Sequence, residues 1–398
     1  MTRRDFLAGT AALAGVQASG AAAVQAGAVH GPARVRVLDE STIEAESQTL
    51  RARLQKGYLV ELESKITAEA FLEPFDRTSF DPVRLVYRGG EVVDLGERLF
   101  GNVVARKVSE TCAEFRFHNW NGDGRLRVQV DPATGDLILE PAAFSSRPGV
   151  RSCRYTLAGL RKGLRLVAPF YQGVSLELAD PLIRGSLWRW PQGWEAGLAI
   201  LQGRSSGFWI HTQDVQYRYK ALQVGLPDNA YALGLDAEAY GPIDDNLAAG
   251  GLAWRINVYQ GDWRVPATSY RDWWWSAYGQ ARQEGRRPSW LPDVRLAISW
   301  CPTDVAVLEA LARTVDPGRV LIHLPRWRTD PYDENYPTYD PSPEARQFLV
   351  RARQLGFHVM PHFNSLETDP NNPVYTLVRD FQYRDVETKK LYGWSWVQ

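Results

Sequence analysis

The sequence predicts a multidomain protein of β plus α/β class: a large antiparallel β-sandwich followed by an incomplete (β/α)8 barrel. Three observations carry this. From about residue 41 to 259, runs such as Y-L-V-E-L-E-S, V-R-L-V-Y, A-E-F-R-F, R-L-R-V-Q-V and G-F-W-I-H-T are separated by turn residues, the period-two signature of strands. At Gly261 the pattern changes, and G-D-W-R-V-P-A-T-S-Y-R-D-W-W-W starts a helix after Pro266 in which Tyr270, Trp273 and Trp274 recur at helical spacing. Beyond residue 290, strand-like and helix-like segments alternate three times, as in parallel βα units.

Taken in order, residues 33–260 form the sandwich, because about 220 residues of strands without a long helix favour one large sandwich over two small domains. Within it D-P-A-T-G-D (131–136) joins two strands as a hairpin, and N-W-N-G-D-G (119–124) is a tight turn that lacks the spaced ligands of a calcium loop. W-R-W-P-Q-G-W-E (188–195) is a poor strand and a good exposed aromatic loop. It stacks a glycan or, the favoured reading, docks against the barrel, with Asp262, Trp263, Tyr270, Arg271 and Trp273 at the same interface. Residues 261–290 are a helical linker, charged over 280–287 and ending at Pro288.

The barrel segment is 291–398. V-R-L-A-I-S-W (294–300) is a buried first strand, 304–314 a helix, V-L-I-H-L-P-R-W (320–327) the second strand and 342–355 the second helix. Gly356 closes that helix, and G-F-H-V-M-P-H-F-N (356–364) is the third strand. A short helical piece near 375–379 and a hairpin over R-D-V-E-T-K-K-L-Y-G-W follow. No Gly-rich phosphate loop is present, which favours a barrel over a nucleotide-binding sheet. Roughly 110 residues follow the linker against about 250 for a full barrel, so the barrel is expected to be truncated.

Composition narrows function. Lys plus Arg and Asp plus Glu number 46 each, for a formal net charge of zero, so no global field favours nucleic acid or an anionic membrane. The 15 Trp and 17 Tyr suit core packing and stacking on sugars. Cys112, Cys153 and Cys301 are odd in number and widely spaced, neither a disulfide framework nor a metal signature. Residues 1–28 read as an export signal: Arg3 and Arg4 resemble the twin-arginine type, the apolar run from Phe6 to Val16 is too short to span a bilayer, and cleavage after Ala23, Ala26 or Ala28 satisfies the small-residue rule. The expectation is an exported, periplasmic or extracellular protein that uses the twin-arginine machinery, without stable membrane insertion and without cofactor or metal.

Side chains at the C-terminal ends of parallel barrel strands converge on one mouth. That rule selects Trp300, Arg326, Trp327, His362 and Asn364 as candidates to line the mouth; His and Asn can hydrogen-bond the hydroxyls of a sugar and Trp can stack on it, the alternative for Asn364 being a cap on the next loop. His358 and mid-strand His323 read as interior, hydrogen-bonded histidines; His358 and His362 lie about 13 Å apart by strand rise, too far to share one zinc ion. Glu367 and Asp369 read as turn caps, and Asp330, Asp333 and Glu334 as a solvated loop.

G-D-W-R-V-P-A-T-S-Y-R-D-W-W leading into a barrel, with G-F-H-V-M-P-H-F-N and R-D-V-E-T-K-K-L-Y-G-W-S-W after it, resembles a glycoside-hydrolase-like family known as a domain of unknown function. Its members pair a galactose-mutarotase-like supersandwich with a TIM barrel and are similar to endo-α-N-acetylgalactosaminidases and, more remotely, to α-galactosidase-like barrels. The resemblance implies hydrolysis of a carbohydrate by two carboxylates, the nucleophile generally on the fourth barrel strand and the acid/base later. Those strands are not found before Gln398, so no catalytic pair is assigned. The alternative is a non-catalytic carbohydrate-binding or structural module in which the sandwich binds. The export reading has a direct check: replacing Arg3 and Arg4 by Lys retains the protein in the cytoplasm, and N-terminal sequencing of the exported parent begins after Ala23, Ala26 or Ala28.

Overall fold

The computed structural model describes residues 33–96, 102–226, 229–239, 241–279, 286–391 and 393. The export signal read in residues 1–28, and most of the charged stretch 280–287, lie outside them. The chain divides into two compact units, 1–280 and 281–398.

The first unit contains three antiparallel sheets. A four-stranded meander runs through Arg34–Asp39, Thr42–Glu46, Leu50–Gln55 and Tyr58–Ser64; ten-stranded and six-stranded sheets follow. In Leu50–Gln55 burial alternates residue by residue over the first half, as the L-R-A-R-L pattern predicts. The 131–136 hairpin forms: Gly122–Val130 pairs with Leu137–Ser145 from Val130↔Leu137 outward, and the Gly135 N–H donates to the Asp131 carbonyl. Gly135 holds φ +77°, which a side chain rarely adopts. All three sheets feed one core, in which Ile43, Leu54, Phe115, Tyr155, Phe208 and Leu235 are fully buried. Burying each such side chain stabilises by about 1.5–3 kcal/mol.

Two readings of this unit are corrected. Trp188 is in the strand Ser186–Trp190, 4% exposed, with its ring stacked 4.1 Å from Phe170. Trp194 is also buried and donates its indole N–H to the Leu198 carbonyl at 3.0 Å. Arg189, Pro191, Gln192 and Glu195 of the segment 188–195 are exposed, but Trp188 and Trp194 are not presented to solvent: their rings find core partners on either side of the turn. The helix starts earlier than expected, spanning Arg264–Ala277, because Pro266 falls in the first turn, where its missing N–H has no helical partner to lose. Tyr270 is buried with Leu198, Ile200 and Tyr259, and Trp273 and Trp274 pack partly against them. The helix thus rests on the sandwich. Cys112, Cys153 and Cys301 are all buried and free.

The second unit holds three parallel strands, Leu296–Ile298, Val320–Leu324 and His358–Pro361, in that spatial order. Rows are set by Ala297↔Leu321↔His358 and Ile298↔Ile322↔Val359. The crossover helices are capped as the sequence predicts. Asp304 accepts from the Ala306 N–H at the start of Val305–Ala312, Ser342 accepts from Ala345 at the start of Pro343–Leu355, and Gly356 ends the latter at φ +92°. Leu308 and Phe348 from these helices pack with Val320, Ile322 and Leu324. The first strand differs from its reading as a seven-residue buried strand. Only three residues pair, and Leu296 is 39% exposed, because the strand has one neighbour, Val320–Leu324, and lies at the sheet edge. The described residues form three parallel strands with crossover helices, not a closed barrel. Tyr375–Val378 is helical, and an Arg384↔Leu391 bridge closes the terminal hairpin.

In the six-stranded sheet, Arg154 and Asp236 face each other across two strands and form a bidentate pair, Nε–Oδ1 2.5 Å and Nη2–Oδ2 2.6 Å. The Asp236 side chain is 2% exposed. Arg154→Met removes the hydrogen-bonded counter-charge of that buried carboxylate, and urea unfolding is expected to show a loss of about 3–5 kcal/mol. Arg189→Met, which removes an exposed partner of Glu238, is expected to cost less than about 1 kcal/mol.

Candidate functional site

Parallel register brings the ends of the three strands of the second unit together, and there the contacts form one polar-aromatic cluster. The Cys301 N–H donates to the His323 carbonyl at 3.1 Å and the His362 N–H to the Leu324 carbonyl at 3.0 Å, tying the segments that follow the first and third strands to the second. Ser299 Oγ lies 3.3 Å from His323 Nδ1, and His323 Nε2 lies 3.3 Å from His362 Nδ1. If Ser299 donates to His323, then His323 Nε2 carries a proton toward His362 Nδ1. That tautomer leaves the His362 Nε2–H as a donor.

Aromatic faces surround this relay. Trp300 is 55% exposed and stands edge-on to His323, 6.4 Å between centroids and 90° between planes. Tyr332 lies 4.9 Å from Trp300 and 5.5 Å from His362. Trp300 sits at φ +58°, an uncommon backbone state for a bulky residue and one that concentrates at functional sites. The loop carrying Tyr332 is held by Arg328, which donates to the Pro331 and Thr338 carbonyls at 3.0 and 2.8 Å and stacks over Tyr336. Burial first, then the Asp333 and Glu367 carboxylates, push the Tyr332 hydroxyl above its ordinary pKa, so it remains a proton donor at neutral pH.

The expected site residues separate into groups. Trp300 and His362 join the cluster. Asn364 is next to it but locally engaged: its amide N–H donates to Glu367 at 2.5 Å, its side-chain oxygen accepts from the Leu366 and Glu367 N–H groups, and its carbonyl accepts from Tyr339. Arg326 is exposed. Trp327 does not offer a stacking face: it is 6% exposed, its ring packs against Tyr339 and Phe363, and its indole N–H donates to the His362 carbonyl at 2.8 Å. It positions His362 from below.

His323, read as interior, is instead the centre of the relay, and Tyr332 and Ser299 were missed. His323 precedes the strand end by one residue, but Met360 shares its row and Ser299, the residue after the paired Ile298, lies against its ring, so the signal was register, not position along one strand. His358 is hydrogen-bonded as expected, Nε2 to the Gly318 carbonyl at 3.2 Å, with its ring stacked 3.8 Å from Trp290. Asp369 caps its loop, accepting from the Asn335 and Asn371 N–H groups. Among the described residues no three His, Cys, Asp or Glu side chains meet to hold a metal ion, and no helix is long and apolar enough to cross a membrane.

Residues 252–392 match the model of a domain of unknown function, DUF6259. No curated protein matches the chain in sequence. The ligand-free α-N-acetylgalactosaminidase NagBb from Bifidobacterium bifidum aligns with TM-score 0.57 and 11% identity, over 85% of this chain and 60% of that one. Its Gal-NHAc-DNJ complex aligns with TM-score 0.56 and 11% identity, over 88% and 61%. A galactose mutarotase-like protein from Lactobacillus casei aligns with TM-score 0.36 and 12% identity, over 55% of this chain and 100% of that one. The chain thus spans about 60% of the length of the NagBb structures and shares their fold. The family resemblance drawn from the sequence stands: the matched model is a domain of unknown function, and glycoside hydrolases are among the structural neighbours.

The histidine relay has a spectroscopic consequence. Burial, and secondarily the charge of His362, lower the His323 pKa from 6.5. The unfolded chain therefore takes up a proton that the folded chain resists, and this group's contribution is lost as pH falls from 6.5 through the folded value. Ring-proton NMR is expected to show His323 titrating below 6.5. In His362→Asn the midpoint moves up but stays below 6.5, since burial is the larger cause; an unmoved midpoint means the two rings are not coupled.

Proposed function

We propose that this is a carbohydrate-active protein of glycoside-hydrolase type, and that the mouth of its parallel sheet holds a sugar ring. The observation that carries the reading is the half-exposed Trp300 indole beside the Ser299–His323–His362 relay. A saccharide ring presents an apolar C–H face that suits an indole and a rim of hydroxyls that suits paired donors and acceptors. The fold shared with an α-N-acetylgalactosaminidase supports a galacto-configured, N-acetylated sugar as the first ligand to try.

Hydrolysis requires two opposed carboxyl groups about 5–9 Å apart across the glycosidic bond. Asp369 is engaged by backbone N–H groups and Glu367 by Asn364, so neither takes that part. We assign the catalytic pair to barrel strands beyond the third, and the residues named above to substrate binding. The twin arginines and short apolar run of residues 1–28 support a further proposal, that the protein is exported, periplasmic or extracellular, with the twin-arginine machinery as its transit partner.

Titration calorimetry with N-acetylgalactosamine and galactose tests the binding half. Trp300→Ala and His362→Ala are each expected to weaken binding at least about fivefold, as loss of one stacking face or one buried hydrogen bond does. Binding of neither sugar, or equal affinity in both variants, overturns the assignment.

A further inference from the structure

We propose a second carbohydrate site, on the sandwich, in the cleft formed by Tyr87, Asn119, Trp120, Asn121 and Arg147. It is remote in sequence from the mouth described above. The turn 119–121 links Cys112–His118 to Gly122–Val130, and the opposite wall comes from Val83–Tyr87 and the residues after Leu137–Ser145. The cleft measures 380 Å³, within the roughly 300–1,000 Å³ usual for small-molecule sites.

Its walls are fixed in place. The Trp120 indole N–H donates to the Phe117 carbonyl at 3.1 Å, and the ring lies so close to Gly122 that a Cβ there would sit 2.4 Å from it. Tyr87 is buried and its hydroxyl meets Ser145 Oγ at 2.6 Å. The Arg147 guanidinium lies 3.7 Å over the Tyr87 ring and pairs with Glu91 at 2.9 Å. The cation of the cleft is thus neutralised, which disfavours an anionic ligand and leaves a neutral one.

The polar groups that remain are amides. Asn121 accepts from Ser146 through its side-chain oxygen, leaving its two N–H donors, and Asn119 also lines the cleft. A tight turn needs one residue at positive φ, and Asn119 at +62° supplies it. It needs neither an indole beside that residue nor a second amide beyond. Two amides and an indole lining one cleft match hydroxyls and a C–H face, the chemistry of an uncharged sugar.

The test uses the full chain and saturation-transfer NMR with galactose, N-acetylgalactosamine, glucose, mannose, maltotriose and cellotriose. Adenosine and a sulfated monosaccharide are the comparison probes. In the Trp300→Ala/His362→Ala double variant, which disables the mouth, at least one neutral sugar is expected still to bind. That residual binding is expected to weaken roughly five- to tenfold in Asn119→Gly and in Asn121→Ala. Glycine tolerates the +62° backbone, so Asn119→Gly removes the amide without straining the turn, and circular dichroism confirms the fold. The proposal is overturned if the mouth variant abolishes all sugar binding, if both Asn variants keep the residual affinity, or if adenosine or the sulfated sugar binds this cleft better than every neutral sugar.

Discussion

Parallel pairing of three short strands is the constraint on which the candidate site depends. In a parallel sheet every strand ends on the same edge, and after the row Ile298↔Ile322↔Val359 come the pair His323↔Met360 and, beside His323, Ser299. His362 lies two residues past Met360, on the same face of the sheet by strand alternation, which is why its ring reaches His323. A slip of one residue in either pairing turns His323 toward the helices and breaks the relay. The caps at Asp304 and Ser342 and the left-handed Gly356 act on the site through this register, since they fix where each helix returns the chain to the sheet.

The sandwich answers to a different constraint. Its core draws Ile43 from the meander, Phe208 from the large sheet and Leu235 from the smaller one, so no single sheet buries its apolar face alone. One polar network within it is closely tied: Arg255 reaches both Asp131 and Asp136, and Asn257 joins Thr49 to Asp136. Burial opposes charge on Asp136, but the neighbouring His211 and Arg255 hold its carboxyl well below the usual range. At His211 itself burial is the larger influence and lowers its pKa, against the opposing pull of Asp136. Such networks cost desolvation that only complete pairing offsets.

Legibility in the sequence followed the locality of the signal. Alternation within a strand, a Ser or Asp before a helix and a Gly after it are read within a few residues, and strands such as Val83–Tyr87, both crossover helices and the hairpin at Asp131 formed where expected. The errors are cases in which a distant partner decides. Trp188 and Trp194 look like loop residues beside Pro191 and Gly193 until Phe170 and Leu198 are placed against them. Trp327 looks like a mouth residue by position, yet Tyr339 and Phe363 close over it. Ser299 and Tyr332 carry no motif, and only register and a pinned loop bring them to His323 and His362.

Parallel sheets are ordinarily covered on both faces. Here the helices bearing Leu308 and Phe348 cover one face, and the opposite face carries His323 and Met360, the latter 49% exposed. That is the face a barrel turns inward, so the relay sits on the inner row directly beneath the rim where Trp300 stands. Under the proposed function, a ring stacked on Trp300 would meet the imidazoles from this face of the sheet, not from its edge. This geometry suits recognition of hydroxyls on a ring laid across the mouth, while bond cleavage requires groups facing it from the opposite side. Under that proposal, binding and hydrolysis are therefore separate demands: the residues gathered at the three strand ends answer to the first, and the second needs opposed carboxylates that these strands do not supply.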